Sequence, residues 1–201
     1  EFSVAAVRRI NLSDIFYNQV GDKWYMVKTN FITIDEKTAV MRVAPNQLDE
    51  ILHPILDPAA EKNATVIAHG LPASPGGAVG TIVFTNADAV KAAAQKKKVI
   101  LVREETSPED VEGMRAAAGI LTQKGGMTSH AALVARGWGK CCIVGCEDMK
   151  INLEKKEVSF KGCDQVFHEG DVFSLNAAKG AVYATALDTM DASDNPRFVK
   201  F

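Results

Sequence analysis

Short apolar runs alternate with helical stretches from about Thr65 onward. Several of these runs are apolar throughout, which is typical of strands covered on both faces of a sheet. The predicted strands are residues 65–68, 78–84, 99–102, 119–122 and 142–145, and the helices between them are 86–97 and 107–117. The second helix opens with Ser107 as a cap, a proline, and acids in the first turn. This alternation predicts an α/β fold with a parallel sheet.

Beyond residue 150 the pattern changes to short strands separated by closely spaced turns, at 154–157, 161–162, 169–171 and 178–180. Such spacing is typical of antiparallel hairpins, for example one pairing residues 172–175 with 181–184. We therefore expect a smaller antiparallel layer beside the parallel sheet.

The ends of the chain differ from this core. Residues 1–62 indicate a helical linker, with helices opening at Asp35 and over 45–52, turn-forming residues at 18–23, and stops at Pro54 and Pro58. Residues 63–186 form the predicted main domain. Residues 187–201 are polar and proline-stopped, so they are predicted to be a linker. Because the chain also lacks an initiator Met, we expect it to be a piece of a longer protein.

One histidine, His130, lies where a glycine-rich loop runs into a short apolar helix, in the order Gly125, Gly126, Met, Thr128, Ser129, His130. The first turn of a helix offers unpaired N–H groups and the positive end of the macrodipole. An imidazole that is largely neutral near pH 7 is nucleophilic there. The placement predicts a histidine that carries a phosphoryl group.

We expect Thr128 to be the N-cap, with Ser129 and His130 following as the first and second helical residues and Gly137 ending the helix. No carboxylate stands in the first turn, which suits an anion site because it would repel a phosphoryl group. Arg136 has two interpretations, a cap at the end of this helix or a direct phosphate contact. The other three histidines, His53, His69 and His168, are predicted to be structural.

Composition excludes several other classes of function. The net charge of -2 gives no general attraction to nucleic acid, and no apolar run reaches membrane-spanning length. The four cysteines lack the paired spacing of zinc ligands, so we interpret them as reduced core residues. Gly139-Lys140 lacks the rest of a phosphate-binding loop, and we predict no metal site in the chain.

The segment 125–142 resembles the phosphohistidine signature of the pyruvate, phosphate dikinase family. Supporting resemblances lie at residues 41–49, 52–54, 71–76, 105–110 and 119–122, and the match runs from about 37 to 185, with residues 1–36 matching poorly and an apparent insertion at 11–28. Met127 and the Cys141-Cys142 pair favour the dikinase over phosphoenolpyruvate synthase and enzyme I of the sugar phosphotransferase system, which typically have Arg where Met127 stands.

The resemblance implies a swivelling β/β/α phosphohistidine domain of an intracellular enzyme, in the cytoplasm or in an organelle such as a plastid or glycosome. In the family, ATP, phosphate and pyruvate become AMP, pyrophosphate and phosphoenolpyruvate, with Mg²⁺ and a monovalent cation bound outside this segment. His130 would be the tele-phosphohistidine that visits two flanking domains, supported by Gly125, Gly126, Ser129 and Arg136. Thr128 matches a regulatory phosphorylation site, and the full enzyme would be a homodimer.

Two alternatives stay open at this stage. One is a phosphoenolpyruvate synthase-like enzyme, which uses water instead of phosphate as the acceptor. The other is a non-catalytic interaction module that kept the fold, an alternative that the retained Gly-Gly-Met-Thr-Ser-His run disfavours.

Overall fold

The computed structural model describes residues 17–20, 23–26 and 53–190. The chain divides into two compact units, Glu1–Leu48 with Lys200–Phe201, and Asp49–Val199. In the first unit, β1 (Tyr17–Val20) and β2 (Lys23–Met26) pair antiparallel. A hairpin thus stands where the sequence predicted only an interruption between helices. The helices predicted at Asp35 and over 45–52 lie outside the described residues.

The second unit contains the remaining elements. Its helices are α1 (Pro58–Lys62), α2 (Asn86–Ala94), α3 (Val111–Ala116), which a 3-10 turn at Pro108–Asp110 precedes, and α4 (His130–Gly137). Its strands are β3 (Ile55–Leu56), β4 (Val66–His69), β5 (Leu71–Ser74), β6 (Gly77–Val83), β7 (Val99–Arg103), β8 (Gly119–Thr122), β9 (Cys141–Val144), β10 (Met149–Asn152), β11 (Glu157–Phe160), β12 (Val166–His168), β13 (Val172–Asn176), β14 (Ala181–Tyr183) and β15 (Thr189–Met190).

Eight of these strands form one mixed sheet in the order β4-β14-β13-β6-β7-β8-β9-β5. The pairings β6–β7, β7–β8 and β8–β9 are parallel, which confirms a mixed α/β fold with parallel strands. The predicted hairpin near 172–184 forms between β13 and β14. It extends the large sheet, because β13 also pairs with β6. A separate antiparallel sheet consists of β10, β11 and β12.

The two faces of the large sheet bury different residues of the same strands. In β7, Val99 and Leu101 pack on the helix side with Ala131, Ala132 and Ala135 of α4. Ile100 and Val102 point to the other face, where they join a cluster that holds Phe160, Phe167 and Phe173. Burying one such aliphatic or aromatic side chain contributes about 1.5–3 kcal/mol. The small alanines of α4 let this helix lie close to the sheet.

Half-buried Lys140, three residues beyond the end of α4, bonds to the end of α3. Lys140 Nζ donates to the carbonyl oxygens of Arg115 and Ala117, both at 2.6 Å. Burial, with a smaller contribution from the Arg115 charge, lowers the pKa of Lys140. Carbonyl groups at a helix end lack partners within the helix, so a cation there stabilises the C-terminus of α3.

Strand β5 was not predicted, because Leu71 to Ser74 includes Pro72 and runs into Pro75 and Gly76. Proline removes a backbone donor and is tolerated on edge strands, and β5 is the last strand of the sheet. It pairs antiparallel with β9 only.

Candidate functional site

Two neighbouring loops at the carboxyl ends of parallel strands form the candidate site. One follows β7 and covers residues 104–107, and the other follows β8 and covers residues 123–129 before α4 begins. The backbone joins them, since Gln123 N donates to Arg103 O at 3.0 Å and Lys124 N donates to Glu104 O at 2.8 Å. This edge is where α/β sheets commonly bind ligands.

His130 is the first residue of α4 and is half-buried. Ser129 is the N-cap, and its Oγ accepts from Ala132 N at 3.4 Å. The prediction of Thr128 as the cap was therefore wrong by one residue. Ser129 N donates to Gly126 O at 3.0 Å, which closes a turn through Thr128 and leaves Ser129 as the extended residue before the helix. His130 thus lies nearer the positive end of the helix than predicted.

The imidazole of His130 contacts a threonine from the other loop. Thr106 Oγ1 lies 3.2 Å from His130 Nδ1, and Thr106 is only 6% exposed. A hydrogen-bond partner at Nδ1 fixes the orientation of the ring, and Nε2 is the ring nitrogen that takes no part in this contact. Sequence reasoning did not single out Thr106. The sequence feature that could have pointed to Thr106 is its place in the segment 105–110, which contributed only to the family resemblance.

The two glycines of the loop have different environments. Gly125 has φ +106°, a conformation that favours glycine, and an added Cβ would lie 3.0 Å from Ser129 Cβ and 3.1 Å from Ser129 Oγ. Gly126 has nothing within 4 Å of an added Cβ. Gly125 therefore shapes the turn beside the N-cap, whereas Gly126 leaves open space.

Arg136 extends from the last turn of α4 to two backbone carbonyls outside this helix. Its Nε donates to Ala73 O at 2.7 Å, and its guanidinium also donates to Met127 O. Neither interpretation of this residue described that arrangement, because Ala73 belongs to the unpredicted strand β5. Arg136 holds the loop that leads to His130 against the edge of the sheet.

Two exposed apolar side chains flank the histidine. Met127 is 43% exposed and Leu133 is 56% exposed, one turn along α4 from His130.

On the sheet side of α4, the buried Cys142 Sγ lies 3.9 Å from Ala131 O, and burial raises the pKa of this thiol to about 12. Cys141 and Cys146 are also buried with raised pKa values, in agreement with the interpretation as core residues, whereas Cys163 is half-buried at the edge of the core.

Neither metal ligands nor membrane spans are found in the described residues. Within 53–190, no three or more His, Cys, Asp or Glu side chains are grouped so as to hold a metal ion. Among the described helices, none combines the length and apolar character needed to cross a bilayer.

Comparison with protein families divides the chain at a similar point to the structure. Residues 95–180 match the family described as PEP-utilising enzyme, mobile domain. Residues 1–48 match a different family, a domain of unknown function (DUF4494). The second match ends where the first compact unit ends, at Leu48. Residues 1–36, where the sequence shows little resemblance to the dikinases, lie within this second match.

Curated relatives cover most of this chain with high identity. Pyruvate, phosphate dikinase of Clostridium symbiosum is 52% identical over 166 residues, which are 82% of this chain and 19% of that protein. The chloroplastic enzyme of Flaveria pringlei is 55% identical over 149 residues, 74% of this chain and 15% of that protein. Pyruvate, phosphate dikinase 2 of Oryza sativa subsp. japonica is 56% identical, with 74% and 17% covered.

The chain therefore spans less than a fifth of the length of these relatives. A solution structure of Enzyme I aligns with 51% of this chain and 35% of that chain, at 20% identity and a TM-score of 0.30. Residues 95–180 thus match the mobile domain of the PEP-utilising enzymes, in a chain whose relatives at 52–56% identity are pyruvate, phosphate dikinases.

Proposed function

We propose that His130 is the phosphoryl-carrying nucleophile of a pyruvate, phosphate dikinase, on a mobile domain that exchanges the group between two flanking sites. The contact of Thr106 Oγ1 with His130 Nδ1 at the start of α4 is the observation that carries this proposal. If Thr106 accepts from Nδ1–H, the lone pair of the neutral imidazole is on Nε2. That nitrogen is then the one that attacks phosphorus.

The proposed chemistry follows from this tautomer. Nε2 attacks the β-phosphorus of ATP, the bond to the bridging oxygen of AMP breaks, and AMP leaves with the electron pair. The terminal phosphoryl group is then transferred to phosphate, which gives pyrophosphate. The phosphoryl group that remains on the histidine is transferred to the enolate oxygen of pyruvate. While the group is carried, the ring is an imidazolium, and its Nδ1–H still donates to Thr106. A hydrogen bond from a charged donor is stronger, so the contact stabilises the loaded state.

The first turn of α4 adds to this stabilisation. Its free N–H groups and the helix dipole favour an anion near His130. Met127 and Leu133 provide exposed apolar area beside the nucleophile, which suits a face that packs transiently against another domain and excludes water during transfer. The ATP, phosphate and pyruvate sites, the Mg²⁺ and monovalent cation, and a homodimeric enzyme are assigned to parts beyond this chain. An intracellular compartment, cytoplasmic or organellar, belongs to the same proposal.

A hybrid enzyme tests the proposal. Residues 49–199 replace the aligned segment of the Clostridium symbiosum enzyme, and ATP radiolabelled in its β-phosphoryl group is added. We expect an acid-labile, base-stable label on the hybrid that is lost in His130→Ala and kept in His69→Ala, which changes an exposed histidine on β4. Label that persists in His130→Ala would overturn the role of His130.

The acceptor of the phosphoryl group is set by the flanking domains, so the dikinase and the phosphoenolpyruvate synthase-like alternative are separated in the whole enzyme that carries this chain. There, pyrophosphate formed only when phosphate is supplied supports the dikinase, whereas orthophosphate released without added phosphate would indicate a synthase-like reaction. The hybrid separates a phosphoryl carrier from a non-catalytic module. A hybrid that takes up no label, while the parent enzyme does under the same conditions, would indicate a non-catalytic module.

A further inference from the structure

The loop that carries Thr106 is fixed on both sides by interactions that do not involve His130. On one side, Glu104 O accepts from Lys124 N at 2.8 Å. On the other side, Ser107 N donates to Asp110 Oδ2 at 3.0 Å, and Ser107 Oγ lies 3.3 Å from the same oxygen. Only Glu105 and Thr106 lie between these two anchors.

Asp110 is in turn held by an arginine of the sheet. Arg103, the last residue of β7, donates from NH2 to Asp110 Oδ2 at 3.3 Å and from NH1 to Phe84 O at 3.1 Å. Asp110 is only 4% exposed. A buried carboxylate needs a partner of opposite charge, and the fork of a guanidinium can bond two acceptors at once. Arg103 therefore ties Asp110 to the ends of both β6 and β7.

We propose that the Arg103–Asp110 pair is a positioning device for the nucleophile, acting through Ser107 and Thr106 on His130. This inference rests on the proposed function. The pair holds Thr106 Oγ1 at Nδ1 of His130, and so keeps the proton on Nδ1 and the lone pair on Nε2. Removing the carboxylate leaves the Ser107 N–H and the Arg103 guanidinium without this partner. The two-residue loop then relaxes, and Thr106 no longer selects the tautomer.

The tautomer of His130 is the direct readout, and it needs no flanking domain. The full 201-residue chain, labelled with ¹⁵N in its histidine rings, is measured near pH 8, where an ordinary imidazole is neutral. We expect the wild-type ring to show mostly Nδ1–H. Asp110→Ala and Thr106→Val should both shift the tautomer ratio of His130 toward that of an imidazole in water. Thr106→Ser, which keeps the hydroxyl, should retain the wild-type ratio.

Two further variants keep the test decisive if Asp110→Ala does not fold. Asp110→Asn retains an oxygen for the Ser107 N–H but loses the charge that faces Arg103, so we expect an intermediate shift. Arg103→Lys removes the fork and should shift the tautomer in the same direction. Asp88→Asn is the matched control: Asp88 is the third residue of α2, accepts from the hydroxyl of its N-cap Thr85 and pairs with Lys156, but it bonds to neither site loop.

In the hybrid enzyme, we expect phosphoryl uptake by Asp110→Ala to fall roughly tenfold or more, since outer partners of catalytic groups commonly have effects of this size. An unchanged tautomer in folded Asp110 and Arg103 variants would overturn the positioning role. A wild-type His130 ring that is protonated mainly on Nε2 would also overturn the positioning role. If the tautomer responds but the wild-type hybrid takes up no phosphoryl group, the proposed function fails and the positioning device stands.

Discussion

Arg136 Nε donates to Ala73 O at 2.7 Å, so the last turn of α4 is tied to edge strand β5. Replacing Arg136 with Ala removes this bond and the one to Met127 O. Hydrogen bonds from charged groups contribute about 1.5–3 kcal/mol, and exposure of this side chain places the expected loss of unfolding free energy near the low end of that range.

Urea denaturation of the chain measures this loss, and label uptake in the hybrid enzyme should fall with it. Arg136→Lys should not recover either property, because an ammonium group cannot reproduce the planar fork. Arg115→Ala, which removes an exposed side chain from α3, serves as the control. Equal stability of Arg136→Ala and Arg115→Ala would contradict the bracing role.

Alanine at the two loop glycines should have opposite consequences. Gly125→Ala places a Cβ in a left-handed conformation and about 3.0 Å from Ser129 Cβ. We expect a cost of at least about 1–2 kcal/mol in the free energy of unfolding. Gly126→Ala meets no atom within 4 Å and should be nearly neutral. Paired urea titrations give the comparison, and similar losses in both variants would show that the loop is shaped differently.

The position of the N-cap predicts a second matched pair. Ser129→Ala removes the oxygen that accepts from Ala132 N, and an N-cap of this kind contributes about 1 kcal/mol. Thr128→Ala removes an exposed side chain just before the cap and should change the unfolding free energy by less than about 0.5 kcal/mol. Thermal unfolding of both variants tests the assignment, which fails if Thr128→Ala is the more damaging change.

A negative charge at Thr128 should hinder loading of His130. We expect Thr128→Asp to reduce label uptake in the hybrid enzyme, because the carboxylate repels the incoming phosphate two residues away. Thr128→Asn has nearly the same shape without the charge and should retain most of the activity. The difference between the two should shrink as salt is added, since screening weakens exposed charges. A difference that is insensitive to salt would point to shape instead of charge.

Acid should destabilise the domain through Glu61. Burial acts to raise the pKa of this carboxyl, but hydrogen bonds from Lys179, Tyr183 and Asn176 outweigh it, so its pKa lies below the ordinary value. A lowered native pKa stabilises the fold above the unfolded pKa of about 4.3, and that contribution is lost as the pH falls through the native pKa.

The matching variant for this effect is Glu61→Gln. Near pH 7 it should lower the free energy of unfolding by about 1–3 kcal/mol, because charged hydrogen bonds to Lys179 and Tyr183 are weakened. As the pH falls below the unfolded pKa of about 4.3 and through the lower native pKa, the stabilities of the variant and the wild type should converge. Urea titrations across this pH range measure both effects, and parallel curves would exclude Glu61 as the source.

The elements with a strong periodic signal were predicted well from the sequence. The predicted strand at 119–122 has the observed bounds, and the one at 99–102 is one residue short, because apolar runs between turn signals leave few alternatives. Strand β5 was missed because Pro72 disfavours an interior strand and says nothing about an edge. The hairpin of β13 and β14 was placed in the wrong sheet, since pairing partners far apart in sequence leave no local signal.

The site was predicted only as far as local sequence reaches. His130 at the start of a helix follows from its own loop, and the cap was misplaced by one residue because Thr128 and Ser129 are both good caps. Thr106 lies on a different loop, and its contact with His130 depends on how β7 and β8 pair. Such contacts are set by topology, which a single sequence does not specify.

The Lys140 amine, bonded to both Arg115 O and Ala117 O, has a kinetic consequence under the proposed function. This amine links α3 to the segment that follows α4, so the phosphorylated imidazole and the residues that position it would move together as one unit. Changes in the segments that connect this domain to its neighbours would then alter the effective concentration of the phosphorylated histidine at each flanking active site. They would leave the intrinsic reactivity of the phosphohistidine unchanged.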